Sequence, residues 1–161
     1  MKRFRLERAQ WVPLPAEPCF DFFSEARNLA LITPGWLGFR LIGQEPPELR
    51  AGTRIEYRIR WLVFPLRWLT LIRRFEPPRW FVDQQIRGPY RLWVHAHEFE
   101  EDAGGTWIRD QVDYALPLGP IGIFVHGAVV RRQLEAIFDY RARRIRELLG
   151  GQPPAEKLPV Y

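Results

Sequence analysis

Residues 53–61 read Thr53-Arg54-Ile55-Glu56-Tyr57-Arg58-Ile59-Arg60-Trp61. Apolar side chains fall at every second position and charged ones between them. A strand shows successive side chains to opposite faces, so this period of two predicts a strand with one face buried and one in water. Downstream the pattern repeats. Leu66 to Phe75 returns after a turn at Phe64-Pro65, Trp80 to Arg87 follows Pro77-Pro78, and Arg91 to Glu101 follows Gly88-Pro89. Ala103-Gly104-Gly105 then makes a tight hairpin into Thr106 to Leu116. Upstream, Leu37 to Gln44 reads as a strand closed by Pro46-Pro47, and Phe4, Leu6, Arg8 and Gln10 alternate as a first strand ended by Pro13 and Pro15. Strands joined by short turns imply an antiparallel meander rather than parallel units with helical crossovers.

Two segments break this period. Ala16 to Ser24 reads as a short helix carrying Phe20, Phe22 and Phe23, and a second helical turn falls near Glu25 to Ile32 before Pro34-Gly35. From Pro120 the spacing changes to three or four: Ile123, Gly127, Val130, Leu134, Ile137, Arg141, Ile145 and Leu148. That spacing predicts one amphipathic helix over 121–149, stopped by Gly150-Gly151 and about 44 Å long. The chain is therefore expected to be a single α+β domain over 1–150, followed by a flexible, proline-containing tail over 151–161.

Composition excludes several classes. With 161 residues, 47% of them hydrophobic and 14% aromatic, the chain is long enough to bury a core and too apolar for disorder. No 18-residue apolar run predicts a membrane-spanning helix. Met1 to Arg8 lacks the apolar block of a signal peptide. Cys19 is the single cysteine, so no internal disulfide or cysteine metal cluster is available. These features together point to the cytoplasm. The net charge of +5 comes almost wholly from arginine, Lys2 and Lys157 being the only lysines. The arginines are interspersed with Asp and Glu, which reads as a solvated surface and not a nucleic-acid interface. The preference for Arg over Lys hints at heat stability. On the last helix Arg131, Arg132, Arg141, Arg143, Arg144 and Arg146 are interrupted by Glu135, Asp139 and Glu147, so that face too reads as solvated and salt-bridged.

The order of elements, together with certain stretches, resembles the START-like (SRPBCC) superfamily and, within it, the polyketide cyclase/dehydrase-like ligand-binding group. The stretches are Arg87-Gly88-Pro89-Tyr90, Trp93-Val94-His95-Ala96-His97-Glu98-Phe99, Gly105-Thr106, Asp110 to Tyr114, Leu116-Pro117-Leu118-Gly119-Pro120 and Arg131 to Phe138. The resemblance spans residues 2–149. It implies a helix-grip fold, in which a curved antiparallel sheet wraps the long C-terminal helix and two short helices follow the first strand. It also implies an internal cavity for a small hydrophobic molecule such as a lipid, isoprenoid, quinone or polyketide-like compound. No cofactor is expected. One departure is that Leu69 and Leu71 occupy the face opposite Trp68, Thr70 and Ile72, where polar residues are the rule.

If the alternating faces look inward, the ligand wall comprises Tyr57, Trp61, Trp68, Thr70 and Ile72 and, on the next strands, Asp83, Gln85, Trp93, His95, His97, Phe99, Asp110, Val112 and Tyr114. Phe124 joins them near the helix start. The polar members Asp83, Gln85, His95, His97 and Asp110 would then sit in an otherwise aromatic site. They would hold a ligand's polar head, or His95, His97, Asp83 and Asp110 would do acid–base work in a cyclase or dehydratase. The competing reading is a purely structural hydrogen-bond network. The rings of His95 and His97, i and i+2 on a strand and about 6.6 Å apart along it, can meet one ion with Asp110 or Glu101 as third ligand. The pattern fits known strand-borne pairs poorly, so from spacing alone no tightly bound metal is expected. The apolar turn Leu62-Val63-Phe64-Pro65-Leu66 and the stretch Leu116 to Phe124 are exposed by expectation. The turn would gate the cavity, touch a membrane transiently or meet a second subunit in a homodimer or partner-binding module, or else fold back over the core.

Overall fold

The computed structural model describes residues 1–44, 48–61, 64–117, 119–120, 124 and 129–150, with the side chain of Trp61 outside that description. The chain runs β1 (Phe4–Val12), α1 (Ala16–Ser24), α2 (Asn28–Leu31), a 3-10 turn (Gly35–Leu37), β2 (Arg40–Leu41), β3 (Arg54–Trp61), β4 (Phe64–Glu76), β5 (Trp80–Arg87), β6 (Leu92–Asp102), β7 (Gly105–Ala115) and α3 (Arg131–Leu149). The strands form one seven-stranded sheet in the order β1-β7-β6-β5-β4-β3-β2. Every pairing is antiparallel. This is the helix-grip arrangement implied by the resemblance.

Alternation dictates which face is filled. Ile55 of β3, Trp68, Thr70 and Ile72 of β4, and Trp93, His95, His97 and Phe99 of β6 are buried. The register shifts between Leu69 and Thr70 and between Ile72 and Arg74 of β4 against β5. Such irregularities bend a strand and raise its twist, which lets the sheet curve round the helix. Leu69 and Leu71 lie half-buried on the convex face. Their register partners are Glu56, Arg54, Arg87 and Gln84, and long polar side chains of this kind lay methylene stems over apolar neighbours.

At one end of the groove α1 is pinned to the sheet. Glu101 Oε1 accepts a hydrogen bond from the Ala16 amide (2.7 Å), and Thr106 Oγ1 donates to the Leu14 carbonyl (2.7 Å). The β6–β7 hairpin turns through Ala103 (φ 53°) and Gly104 (φ 77°). Two successive left-handed residues are what a two-residue hairpin needs to match strand twist. A side chain on Gly105 would strike the Val12 carbonyl, 2.3 Å from where its Cβ would stand.

α3 buries Leu134, Phe138, Arg141 and Ile145 against the sheet. Gln10 Nε2 of β1 donates to its Ala142 carbonyl at 2.8 Å. The expected stripe is corrected at two places: Leu148 is 40% exposed, and Phe138, absent from the expected stripe, is 4% exposed. Gly119, Pro120 and Phe124 are helical, whereas the expected helix positions 121–123 and 125–128 lie outside the described residues, as do Leu62, Val63 and the tail. The predicted strand Leu37 to Gln44 shrinks to Arg40–Leu41. Gly38 (φ 55°) and Gly43 (φ 80°) adopt left-handed backbone on either side of it, which an extended chain does not allow.

Candidate functional site

Period two on β6 sets Trp93, His95, His97 and Phe99 on the concave face, and the register decides what they meet. His95 stands opposite Asp83 of β5 and Val112 of β7; His97 stands opposite Phe81 and Asp110. Two of the short contacts are diagonal. His95 Nε2 lies 2.8 Å from Asp110 Oδ1, and His97 Nε2 lies 3.0 Å from Asp83 Oδ2. The remaining nitrogens complete a cross: His97 Nδ1 is 3.0 Å from Asp110 Oδ1, and His95 Nδ1 is 3.7 Å from Asp83 Oδ2. Arg141 descends from α3, its Nη2 3.6 Å from Asp110 Oδ1 and its guanidinium over the rings of Phe23 and Phe138. The ring of His97 stacks on Phe81 with centroids 4.2 Å apart.

Burial and these partners pull in opposite directions. Burial raises Asp110, but the Arg141 charge and the two imidazoles outweigh it and hold the carboxyl well below its usual range. Asp83 follows the same logic, burial opposed by the His97 hydrogen bond and the nearby charges, with a net downward direction. Burial lowers both histidines. At His97 the hydrogen bonds to Asp110 and Asp83 overcome it and the group ends raised; at His95 the neighbouring His97 adds to burial and the group ends lowered. The cluster thus joins two carboxylates, one guanidinium and two imidazoles whose shifts run in opposite directions, His97 up and His95 down.

Beside it opens a cavity of about 400 Å³. Of the residues singled out in the sequence, the sheet places Tyr57, Trp68, Thr70, Ile72, Asp83, Trp93, His95 and His97 on its wall. Helix α3 adds Leu134, Ile137, Phe138 and Arg141, and the α1–α2 region adds Phe22, Phe23, Ala26 and Leu29. Two buried N–H groups on this wall, Trp68 Nε1 and Arg141 Nε, have no hydrogen-bond acceptor among the described residues. Tyr57 and Thr70 share a long hydroxyl contact of 3.4 Å.

Six other predicted wall residues stand elsewhere. Phe99 is enclosed by Phe20 and Phe23, each with ring centroids 5.3 Å away, at the filled end of the groove. Val112 and Tyr114 pack into the core with Leu6, Leu134 and Phe138, because β7 lies towards β1 and away from the opening. Asp110 is buried on the far side of the two imidazoles. Gln85 is occupied by the β5–β6 connection, donating to the Tyr90 carbonyl (2.6 Å) and accepting from the Tyr90 amide (3.2 Å). Phe124 is 78% exposed. Glu101, weighed as a metal ligand, caps α1 instead. Arg141 is the member of the cluster that charge counting put on the solvated face: it lies in the apolar stripe, four residues from both Ile137 and Ile145, and a charge in that position signals a buried partner.

Phe64, at the hairpin tip, is 62% exposed. Among the described residues no helix is long and apolar enough to cross a membrane.

A family model described as polyketide cyclase/dehydrase and lipid transport matches residues 12–138. No curated protein matches the chain in sequence. Among solved structures, protein CV1439 from Chromobacterium violaceum is similar with a TM-score of 0.69 at 12% identity, covering 94% of this chain and 100% of its own. Protein Ms6760 from Mycobacterium smegmatis gives 0.64 at 16%, covering 90% of each chain. Major latex-like protein 151 from Panax ginseng gives 0.60 at 9%, covering 91% of this chain and 97% of that one. At these identities the likeness is one of fold.

Proposed function

The chain belongs to the polyketide cyclase/dehydrase and lipid transport family, and on that premise we propose that it binds and carries a small, largely hydrophobic molecule with hydrogen-bond acceptors at its polar end. The observation that carries this reading is the cavity of about 400 Å³, walled mostly by aromatic and aliphatic side chains, with two N–H donors that have no acceptor among the described residues. Volumes of a few hundred Å³, mostly apolar with a few placed polar groups, are the ordinary make-up of a small-molecule site. A buried donor left without a partner costs about 1–3 kcal/mol, so an acceptor supplied by a ligand recovers that loss. Isoprenoids, quinones, lipids and polyketide-like compounds all pair an apolar body with oxygen acceptors.

Native mass spectrometry of the purified chain, followed by solvent extraction, tests this. The expected result is a mass increment that extraction releases as an oxygenated hydrophobic compound. A chain that carries nothing, takes up no apolar fluorescent probe and shows no melting shift with any oxygenated hydrophobe would overturn it.

One observation favours a second reading, a cyclase or dehydratase. His97 and Asp83, an imidazole and a carboxylate in hydrogen-bond contact, both face the cavity. Turnover of a bound polyketide-like substrate that His97→Gln abolishes, with the fold intact, would select this reading over carriage alone.

A further inference from the structure

We propose that Asp83, His95 and His97 form a binding site for a divalent first-row transition metal on the cavity wall. The inference goes beyond ligand carriage and stands whether or not a hydrophobic molecule fills the cavity. One atom from each residue lies within 4.8 Å of the other two. Asp83 Oδ2 is 3.0 Å from His97 Nε2 and 3.7 Å from His95 Nδ1. Ligands held at about 2.0–2.1 Å from one ion in tetrahedral or octahedral geometry stand about 3.0–3.4 Å apart. The first of these separations falls at the lower edge of that span and the second lies a few tenths of an ångström beyond it.

The opposite sides of the rings argue for the same thing. His95 Nε2 (2.8 Å) and His97 Nδ1 (3.0 Å) both face one oxygen of Asp110. A metal-bound imidazole gives its lone pair to the ion and donates its other N–H to a carboxylate or carbonyl, which fixes the tautomer. Both rings have this arrangement, with Asp110 as the shared acceptor. Three ring nitrogens lie within 3.0 Å of a carboxylate oxygen, and His97 Nδ1 also lies 3.5 Å from Arg141 Nη2. His95 Nδ1, at 3.7 Å from Asp83 Oδ2, is beyond hydrogen-bond reach. An ion held by Asp83 would take up that lone pair together with the one on His97 Nε2.

Charge and access are consistent with this. Arg141 approaches Asp110 at 3.6 Å and balances it, leaving Asp83 to offset the ion. Asp83, His95 and His97 are on the cavity wall whereas Asp110 is behind them, so open coordination positions face the cavity. Imidazole with carboxylate suits zinc, cobalt, nickel or iron. From spacing alone no metal was expected. What reverses that is the placement of one carboxylate on each side of the ring pair, which only the register of β5, β6 and β7 reveals.

The test uses the untagged full chain, stripped with chelator and titrated with Zn(II) and Co(II). The expected result is one ion per chain with micromolar or tighter affinity. The Co(II) form should show two exchangeable, strongly shifted imidazole N–H resonances, one for each ring held by Asp110. Asp110→Asn should weaken binding roughly 10- to 100-fold, and His95→Ala or His95→Gln should remove the one-ion stoichiometry. Absence of saturable uptake, or uptake that both His95 variants leave unchanged, overturns the proposal. Apolar-probe uptake by the stripped chain is read in parallel: its loss counts against the carrier reading alone, and failed metal uptake with intact probe binding counts against the metal site alone.

Discussion

The two ends of the groove between sheet and helix are built from similar residues and differ in how they are closed. At one end Phe20 meets Phe75, Phe81 and Phe99 with ring centroids 5.2–5.7 Å apart, and Val12, Cys19, Ile108 and Ile145 fill the remaining space. At the other, Trp68, Trp93, Tyr57 and Tyr90 also touch one another, yet the cavity opens beside them. Helix α1 supplies the difference. It inserts Phe20 at the first end, held there by Glu101 and Thr106, and among the described residues no short helix inserts a ring in this way at the second. The Cys19 thiol, pushed up to about 12 by burial, is an inert part of the filled end. One end therefore carries stability and the other is free to carry ligand.

Truncation at the filled end gives the largest expected effect. Phe20→Ala removes a fully buried ring from a close-packed cluster, where Phe→Ala costs about 3–5 kcal/mol. Trp68→Ala removes more atoms but from a wall that already borders a void, so it should cost distinctly less and shift the preferred ligand to a larger one. Chemical denaturation of both variants is the check; equal losses would erase the distinction between the ends.

Next in size is ligand linkage. An oxygenated hydrophobe at a hundredfold over its dissociation constant adds about 2.7 kcal/mol. For a chain of this length that raises the melting temperature by roughly 5–10 °C. Phe20→Ala should keep the same ligand increment on its lower baseline. If its increment vanishes, the two ends are one cooperative unit.

A smaller effect isolates one donor. Trp68→Phe keeps an aromatic wall and deletes the Nε1–H that lacks an acceptor. Affinity for acceptor-bearing ligands should fall about two- to tenfold, the worth of one hydrogen bond of about 0.5–1.5 kcal/mol. Binding of a plain hydrocarbon probe should hold, and the stability of the unliganded chain should not fall through any lost hydrogen bond. Titration calorimetry with a matched ketone and alkane pair reads the difference.

How much of this was legible depends on the kind of information each feature needs. Periodicity exposes faces, so β3, the buried side of β6, α1 and the long helix are all visible in the sequence. It exposes no depth along a strand. Phe99 shares a face with His97, but whether that end is open or plugged depends on where α1 docks, and the sequence does not say. Val112 and Tyr114 failed for the same reason, since strand order puts β7 beside β1. The polar cluster was visible as four residues, two Asp and two His, on three strands; its diagonal pairing required the register. Arg141 stood both in the apolar stripe and among the surface arginines of the helix, and only its contact with Asp110 decides between the two placements.

The smallest effect tests whether the filled end can be changed without the cavity noticing. Ala103 holds φ 53° in the β6–β7 hairpin, beside Gly104. Left-handed backbone costs a residue with a Cβ roughly 1–2 kcal/mol. Glycine removes that cost but brings about 0.5–1 kcal/mol of extra chain entropy to lose. The net expectation for Ala103→Gly is a gain of up to about 1 kcal/mol, seen as a higher denaturation midpoint with an unchanged slope. The hairpin adjoins the Glu101 cap of α1 and lies away from the cavity wall, and distant sites add independently. Ligand affinity should therefore be unchanged. A variant that gains stability and loses ligand would show that the hairpin and the cap of α1 communicate with the open end.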